Sequence, residues 1–379
     1  MSSQPNMNTL NNVGGNTVAG MKEDFVVSIV LGIVLIISLV FIFYLIYLSR
    51  LQNAECSYMN GLYPKMDGYI RPITSSDPDC SGNLYDYYIK TAYNACSGGS
   101  LKNDYVNICN LKAVINQGVR CLDFQIFNIN ENPVVATSTS DSYYVRETFN
   151  YVNFSDVMKT ISNYAFSNGT APNYTDPLLI HLRIMSTNQN MYTNMANIFK
   201  SYDNLMLGSN YSYENNGLNI GAQPLLSFQN KIIVIVDKMN SAFLDNEAFM
   251  EYVNLVSNSV FMRALTYYDV QNTPDLTELQ EYNMKDMSIV FPNSGTNPPN
   301  PSGIVCMEAG CQMVAMRYQY VDNYLEDNTS FFDEAGYAFV LKPLRLRYNP
   351  VTVPDPTPQN PAYSYATRTA ATDYYNFNF

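Results

Sequence analysis

The stretch "GVRCLDFQIF", residues 118–127, decides the fold together with "EAGCQMVAMRYQYVD", residues 308–322. Each contains a short run of β-branched and aromatic residues with turn-forming residues at its border, a pattern typical of a buried strand. The runs "LLIHLRIM", "KIIVIVD" and "YAFVLKP" have the same character, and "FSDVMKTISNYAF" between them has its apolar residues on one helical face. Strands that alternate with helices over roughly 270 residues predict parallel β/α units and an eight-stranded barrel.

A second feature is the apolar run Phe25–Ser49, which contains no Lys, Arg, Asp or Glu. A bilayer core about 30 Å thick needs roughly 20 apolar helical residues, so this run predicts a transmembrane helix. Tyr44 and Tyr47 lie near one end, where an aromatic belt would place them. The alternative is a buried core helix, but core helices of this length keep a polar face. Lys22 and Arg50 flank the run on opposite sides, so the charges do not set its orientation.

The rest of the chain divides by composition. We expect a polar, disordered N-terminus and then, after the transmembrane helix, a proline-containing linker, one barrel domain and a Pro/Tyr-rich tail. The boundaries are 1–24, 25–49, 50–80, 81–347 and 348–379, respectively.

Composition narrows the classes of partner. The net charge is −12 and no basic run is present, which argues against binding to nucleic acid and against a polybasic contact with an anionic membrane. The seven cysteines are an odd number, so at least one has no partner within the chain. In an oxidising compartment, the pairs Cys96–Cys109 and Cys56–Cys80 are both open as disulfides.

The two long motifs resemble the catalytic halves of eukaryotic phosphoinositide-specific phospholipase C. "GVRCLDFQIF" with the following "NPVVATSTS" is similar to the X region, and "EAGCQMVAMRYQYVD" with "GYAFVLKPLRLR" is similar to the Y region. The resemblance covers an X-like half at 81–238 and a Y-like half at 285–347. It implies a (β/α)8 barrel of the phospholipase C type, here preceded by one transmembrane helix.

The resemblance also implies a chemistry, namely phosphodiester cleavage by two histidines and a calcium ion. The family's functional positions can be carried over one at a time. The two histidines fall on Tyr93 and Thr137, and the asparagine beside the first is kept as Asn94. The acidic pair falls on Asp123 and Gln125, the next glutamate on Arg183, the phosphate-binding lysine on Ile235, and the substrate-side serine is kept as Ser288.

These replacements predict a barrel that has lost its catalysis. The chain has one histidine, His181, which we interpret as a hydrogen-bonded core residue. Tyrosine, with a pKa of about 10, and threonine do not transfer protons near neutral pH as imidazole does. We therefore expect no catalytic residues, no cofactor and no calcium site. Arg183 is expected to pair with Asp123, with Tyr93 closing the opening above them.

The favoured function is that of a membrane-anchored structural or interaction protein. Abundant Asn, Tyr and Met with no Trp resembles proteins of large DNA viruses, so a virion membrane or minor capsid component with other virion proteins as partners would fit. The alternatives are a phosphoinositide head-group binding module and, third, an active phosphodiesterase with altered chemistry. A binding module would need an open pocket with at least two cationic donors.

Overall fold

The computed structural model describes residues 8–140, 144–213, 219–349, 355–358, 360, 363 and 366–379. The chain divides into two compact units, Met1–Arg347 and Tyr348–Phe379. The second unit contains a hairpin of β12 (Thr369–Ala371) and β13 (Asn376–Asn378), which pair antiparallel. The helices and strands described below belong to the first unit.

Eight parallel strands form the centre of the first unit. Their order is β7-β6-β5-β2-β1-β10-β9-β8. Residues 258–261 join β7 to β8, where Ser259 N donates to Met262 O at 3.0 Å, so that the barrel is nearly closed. The strands of this unit are β1 (Tyr87–Ala92), β2 (Cys121–Ile129), β3 (Asn132–Ala136), β4 (Val152–Asn153), β5 (Leu178–Met185), β6 (Ile232–Asp237), β7 (Leu255–Ser257), β8 (Met262–Thr266), β9 (Met287–Phe291), β10 (Met313–Met316) and β11 (Phe339–Leu341).

The helices pack around this barrel, apart from the N-terminal part of α1. Asn188 caps the helix Gln189–Lys200 by accepting from Met191 N at 3.1 Å, and Gly336 ends the helix Asn323–Ala335 with a φ of 76°, a left-handed conformation that suits glycine. The helices within the described residues are α1 (Asn8–Leu62), α2 (Ile108–Asn116), α3 (Phe154–Tyr164), α4 (Gln189–Lys200), α5 (Glu247–Met250), α6 (Tyr267–Gln271), α7 (Leu276–Asn283), α8 (Gly303–Glu308) and α9 (Asn323–Ala335).

The core has two main layers because successive strand residues point to opposite faces of the sheet. Leu122 and Ile180 pack outward against the helices, in one buried cluster. Ile89, Leu179 and Ile235 point inward and fill the barrel with a second cluster. The same alternation turns every second residue of β2 and β5 into the barrel, including the polar ones.

The predicted barrel is confirmed, with differences in individual strands. "LLIHLRIM" coincides with β5, and "KIIVIVD" contains β6. "YAFVLKP" contains β11, but β11 pairs antiparallel with β1 and is not one of the eight parallel strands. "NPVVATSTS" contains β3, which folds back antiparallel on β2. These two segments therefore extend the sheet with antiparallel strands and do not belong to the eight parallel strands of the barrel.

Helix α1 corrects two expectations about local structure. It begins at Asn8, inside the segment 1–24 that was expected to be disordered, and it ends at Leu62, inside the predicted linker 50–80. A long apolar helix supplies the nucleus from which further turns propagate at low cost in both directions. Beyond the apolar run the helix is also held by tertiary packing, since Met59 is buried in the outer core.

A disulfide joins α1 to the barrel. Cys56 pairs with Cys109 in the first turn of α2, with 5.8 Å between the Cα atoms. Neither pairing left open by the sequence is present, since Cys80 and Cys96 are unpaired and buried. Both pairings were wrong because residues 50–80 were treated as an irregular linker. In the structure α1 continues to Leu62 and places Cys56 beside Cys109.

Within the described residues, one helix is long and apolar enough to cross a membrane. This segment is Phe25–Leu62, 38 residues long, with a mean hydropathy of 3.2 over its most apolar window and none of that window buried in the protein. The side chains from Phe25 to Tyr47 are exposed, so a buried core helix does not describe this segment.

Candidate functional site

The candidate site lies inside the barrel, where β2 and β5 run side by side. Asp123 is in register with His181, and Gln125 is in register with Arg183. All four side chains are almost completely buried, with 2% exposure at most. The site opens toward the end of the barrel at which the eight parallel strands have their carboxyl termini, which we call the mouth. The opposite end is the base.

Asp123 is the centre of the site and accepts four hydrogen bonds. Arg183 donates from Nε to Oδ1 at 3.0 Å and from an Nη to Oδ2 at 2.6 Å. His181 Nδ1 lies 2.9 Å from Oδ1, and the Asn94 backbone N–H donates to Oδ2 at 3.1 Å. Asn94 has a φ of 44°, a left-handed conformation that asparagine tolerates. The carboxylate therefore has a full set of donors.

These donors control the ionisation of Asp123. Burial by itself would raise the pKa of this carboxyl, but Arg183 and His181 outweigh burial and hold the pKa at about 2. An ionised carboxylate only accepts hydrogen bonds, so His181 donates to it from Nδ1. The predicted contact between Arg183 and Asp123 is thus present as a two-pronged, charge-assisted pair.

The guanidinium of Arg183 is enclosed on its other sides. It donates to Asn94 Oδ1 at 3.0 Å, and it lies 4.8 Å from the ring centre of Tyr93 and 5.0 Å from that of Phe291. Two aromatic faces around a guanidinium stabilise the positive charge by cation–π interactions. Tyr93 therefore covers the ion pair, as the sequence analysis predicted.

His181 extends the network to a third strand. Its Nε2 lies 2.9 Å from the hydroxyl oxygen of Ser257, the last residue of β7. Ser257, His181 and Asp123 thus form a chain of hydrogen bonds in the order known from serine hydrolases. All three side chains have 0% exposure, however, and Asp123 is also bound to Arg183. A nucleophile needs an approach path that Ser257 lacks here.

Other predicted positions lie around this network. Thr137 donates from its hydroxyl to Leu101 O at 2.8 Å, and Gln125 accepts from Ser138 N at 2.8 Å. Both residues thereby fix the loop that follows β3. Ile235 is in register with His181 and packs in the apolar interior of the barrel.

The structure corrects the prediction for Ser288, which does not lie at this site. It is the second residue of β9, near the base, and its neighbours Met287 and Ile289 point into the barrel. Its own side chain therefore points outward, where the hydroxyl donates to Asn283 Oδ1 at 2.6 Å. The resemblance assigned Ser288 to the site, but the alternation of side chains along β9 turns it to the opposite face.

The residues at the site do not fit a calcium ion. Calcium takes six to eight oxygen ligands, several of them carboxylates. Here both oxygens of Asp123 and the side-chain oxygen of Asn94 accept from the guanidinium of Arg183. In the described part of the chain, no group of three or more His, Cys, Asp and Glu side chains is arranged to hold a metal.

A cavity of about 220 Å³ lies at the mouth beside the ion pair. Arg183 is the one cationic residue among the described residues lining it, and it is paired with Asp123, while Asp237 adds a carboxylate. The cavity therefore lacks the second cationic donor that a phosphorylated head group would need. Its lining is Tyr144, Arg183, Ile184, Met185, Asp237, Met239 and Asn240.

Two residues of the site were missed by sequence reasoning. Ser257 belongs to a strand of three residues, too short for a periodic signal. Phe291 is the last residue of β9, a strand that the sequence analysis did not identify. The run Met287–Phe291, apolar apart from Ser288 and followed by proline, was the signal available for this strand.

Comparisons with known proteins agree with this geometry. The family model for the X domain of phosphatidylinositol-specific phospholipase C matches residues 80–238, and the model for the Y domain matches residues 234–345. The chain belongs to the phosphatidylinositol-specific phospholipase C family. The two models together cover the whole barrel, and they meet at β6, the strand that contains Ile235.

Solved structures of this family have the same fold. The chain resembles PLC21 of L. pealei with 16% sequence identity and a TM-score of 0.57, and PLC21 of S. officinalis with 17% identity and a TM-score of 0.55. Each alignment covers 71% of this chain but 38% of the other protein, so the chain spans under half the length of these phospholipases. No curated protein sequence matches the chain.

Proposed function

We propose that this chain is a non-catalytic member of the phospholipase C family, a membrane-anchored barrel with a structural or interaction role. The observation that carries the proposal is the pair between Asp123 and Arg183, which fills the site with a satisfied ion pair. Two further observations support it. The positions that resemble the catalytic histidines are Tyr93 and Thr137, and the sole histidine is buried with its Nδ1 at the same carboxylate.

The test is an assay of the full-length chain in detergent micelles that contain phosphatidylinositol or its bisphosphate, with and without calcium. We expect no release of inositol phosphates, because losing a general acid or base costs about 10²–10⁴ in rate and both are replaced. Millimolar calcium should leave the melting temperature unchanged. Calcium-dependent release that Asp123→Asn abolishes would overturn the proposal.

The second candidate is a hydrolase with altered chemistry, favoured by the hydrogen-bonded chain from Ser257 through His181 to Asp123. In that case Ser257 would react with a fluorophosphonate probe, and Ser257→Ala would not. We expect no labelling of the parent chain, because the serine is fully buried. Labelling at Ser257 would make this candidate the preferred one.

The proposal includes a location. The amino-acid composition suggests a viral origin, and we propose a virion membrane or a minor capsid layer, with other virion proteins as partners. Mass spectrometry of purified virions and of host membranes would test this. Detection of the chain in host membranes alone would contradict the virion location and leave the anchored barrel in place.

A further inference from the structure

Five asparagines of the chain begin the triplet Asn-x-Ser/Thr, in which x is not proline. They are Asn153, Asn168, Asn173, Asn210 and Asn328. This triplet is the acceptor sequence for N-linked oligosaccharides. An asparagine-rich chain contains such triplets by chance, so their number indicates nothing. The structure, however, separates the accessible acceptors from the buried ones.

Two of the five asparagines are part of the core. Asn173 is fully buried, donates from Nδ2 to Gly118 O at 3.0 Å and accepts from Arg120 at 2.8 Å. Asn328 in α9 is 2% exposed, and a Cβ added to Gly303 would lie 2.9 Å from its Nδ2. Because the interior is close-packed, the folded barrel has no room for an oligosaccharide on either amide nitrogen.

Asn168 has the opposite surroundings. It is exposed and lies with Gly169 at the centre of a four-residue turn between α3 and β5. The turn is closed by Thr170 N, which donates to Ser167 O at 3.1 Å. A Cβ added to Gly169 would meet no atom of the described residues within 4 Å, so the space beside the acceptor is open. A bulky surface modification therefore fits this position.

The triplets of Asn153 and Asn210 are less open, although both asparagines are exposed. Asn153 directly precedes α3, and its Nδ2 lies 3.4 Å from Asp156 Oδ2. Ser212, which completes the triplet of Asn210, is 3% exposed. Asn168 is thus the acceptor that the structure favours.

The disulfide indicates the compartment that the barrel meets. Cys56 lies in the docked part of α1, residues 51–62, where Glu55 and Met59 are buried. Its bond to Cys109 places the disulfide on the same side of the candidate membrane span as the barrel. Disulfides persist in the lumen of the endoplasmic reticulum and at cell surfaces and are rare in the cytosol. The five other cysteines are buried, so they expose no thiol to such a compartment.

We propose that the barrel lies on the lumenal side of the membrane and that Asn168 carries an N-linked oligosaccharide. The inference rests on the anchoring role of α1 proposed above. In the transfer, the amide nitrogen of Asn168 attacks the anomeric carbon of a lipid-pyrophosphate-linked oligosaccharide, which the cell supplies. The N–C bond forms as the C–O bond to the pyrophosphate breaks. The lipid pyrophosphate leaves, and the nitrogen gives up one of its two protons.

The test is expression of the full chain in cultured animal cells, followed by treatment with peptide N-glycosidase F and gel electrophoresis. The glycosidase should increase the mobility of the parent, and Asn168→Gln should show one step of mobility shift fewer than the parent. Thr170→Ala removes the same triplet at its other end and should lose the same step. Thr170→Ser keeps the triplet and should retain the step.

The buried acceptors supply the matched controls. Thr175→Ala removes the triplet of Asn173, and Ser330→Ala removes that of Asn328, without changing either asparagine. Both variants should show the same shift as the parent. A loss of one step in either variant would contradict the separation of accessible from buried acceptors.

Carbonate extraction of the same membranes separates this inference from the anchoring role. If the glycosidase does not move the parent and carbonate does not release it, the inference is wrong and the anchor stands. If carbonate releases a glycosylated chain, Asn168 is supported and the anchor fails. A shift that Asn168→Gln leaves unchanged would place the oligosaccharide at Asn153 or Asn210 and overturn the assignment to Asn168.

Discussion

At the scale of single residues, the most consequential feature is Asp123, a fully buried carboxylate that is stable because Arg183 lies against it. Removing one partner of such a pair leaves an uncompensated charge inside the protein, whereas removing both does not. An exposed pair at a similar distance behaves differently, since water screens it. Arg345 and Glu308, 2.6 Å apart and more than half exposed, provide that comparison within the same chain.

The first prediction compares the two pairs. Arg183→Met should lower the free energy of unfolding by about 3–5 kcal/mol, and Arg345→Met should change it far less. The double variant Arg183→Met with Asp123→Leu should recover part of the loss. Chemical denaturation of the purified chain in detergent measures all three. Equal effects of the two single substitutions would show that the buried pair contributes no special stability.

A second prediction concerns pH and Asp176. One carboxylate oxygen of Asp176 accepts from Ile73 N at 2.8 Å, while the other is buried without a hydrogen-bond partner. Burial is the main cause that raises the pKa of this carboxyl to about 7, against the opposing effect of Arg120. A raised carboxyl pKa gives stability that is present below the unfolded pKa of about 4 and is lost as the pH rises to about 7.

Asp176→Asn should therefore remove part of the pH dependence. Between pH 4 and 7 the parent should lose up to about 1.4 kcal/mol per pH unit through this group, and the variant should be more stable than the parent at pH 8. Glu281→Gln, at an exposed carboxylate, is the matched control and should behave as the parent does. A parallel pH profile for Asp176→Asn and the parent would contradict this prediction.

Single residues also show which side-chain contacts could be predicted from the sequence. The contact of Arg183 with Asp123 could be predicted because both lie on adjacent strands and a period of two places them on the same face. The prediction that Ser288 lies at the site was wrong for the same physical reason, because an error of one residue moves a side chain to the other face of a strand. Ser257 could not be predicted, since its position depends on how β7 closes the barrel.

At the scale of elements, the junction between α1 and α2 decides how the candidate membrane span is attached to the barrel. Fifty-three residues separate Cys56 from Cys109, and a bond across such a loop restricts the unfolded chain. The chain-entropy model gives about 4 kcal/mol for a loop of this length. The same bond needs an oxidising environment to persist, so it also bears on the compartment in which the barrel lies.

The third prediction follows from this disulfide. The double variant Cys56→Ser with Cys109→Ser should unfold at a lower denaturant concentration than the parent, by an amount equivalent to about 4 kcal/mol in the entropic model. A reductant should lower the stability of the parent toward that of the variant and leave the variant unchanged. If the reductant has no effect on the parent, the two thiols are not bonded in the protein tested.

Elements differed in how well their sequence predicted them. β5 and β6 were predicted well because parallel barrel strands are buried on both faces and give continuous apolar runs. β1 was missed because Lys90 and Thr91 interrupt its apolar run, although both are buried. The docked part of α1 was missed because its stripe of contacts needs the barrel surface to be recognised.

At the scale of the whole molecule, an enzyme-type barrel and a candidate membrane span form one chain. The family's fold could be predicted because strands alternate with helices and because the motifs at 118–127 and 308–322 resemble the family's X and Y regions in the same order. The orientation of the barrel relative to the candidate membrane span could not be predicted, because it depends on which surface of the barrel α1 packs against.

The fourth prediction concerns the anchor. Deletion of Phe25–Ser49 should convert a membrane protein that resists carbonate extraction into one recovered in the soluble fraction, because the apolar run has no protein surface covering it. Fractionation by ultracentrifugation after carbonate treatment measures this. Release of the full-length chain by carbonate or high salt would show that the run does not span the bilayer.

The pairing of β1 has a consequence for synthesis on the ribosome. Ile89, near the start of the barrel, finds its partners in Met313 of β10 and Phe339 of β11, near the barrel's end. In the nascent chain, β1 must therefore keep one edge unpaired until β10 and β11 have been translated, by which time the apolar run of α1 has long left the exit tunnel. Such late closure is slow and exposes strand edges to aggregation. Production of this protein should therefore depend on chaperones that hold the incomplete barrel beside the membrane.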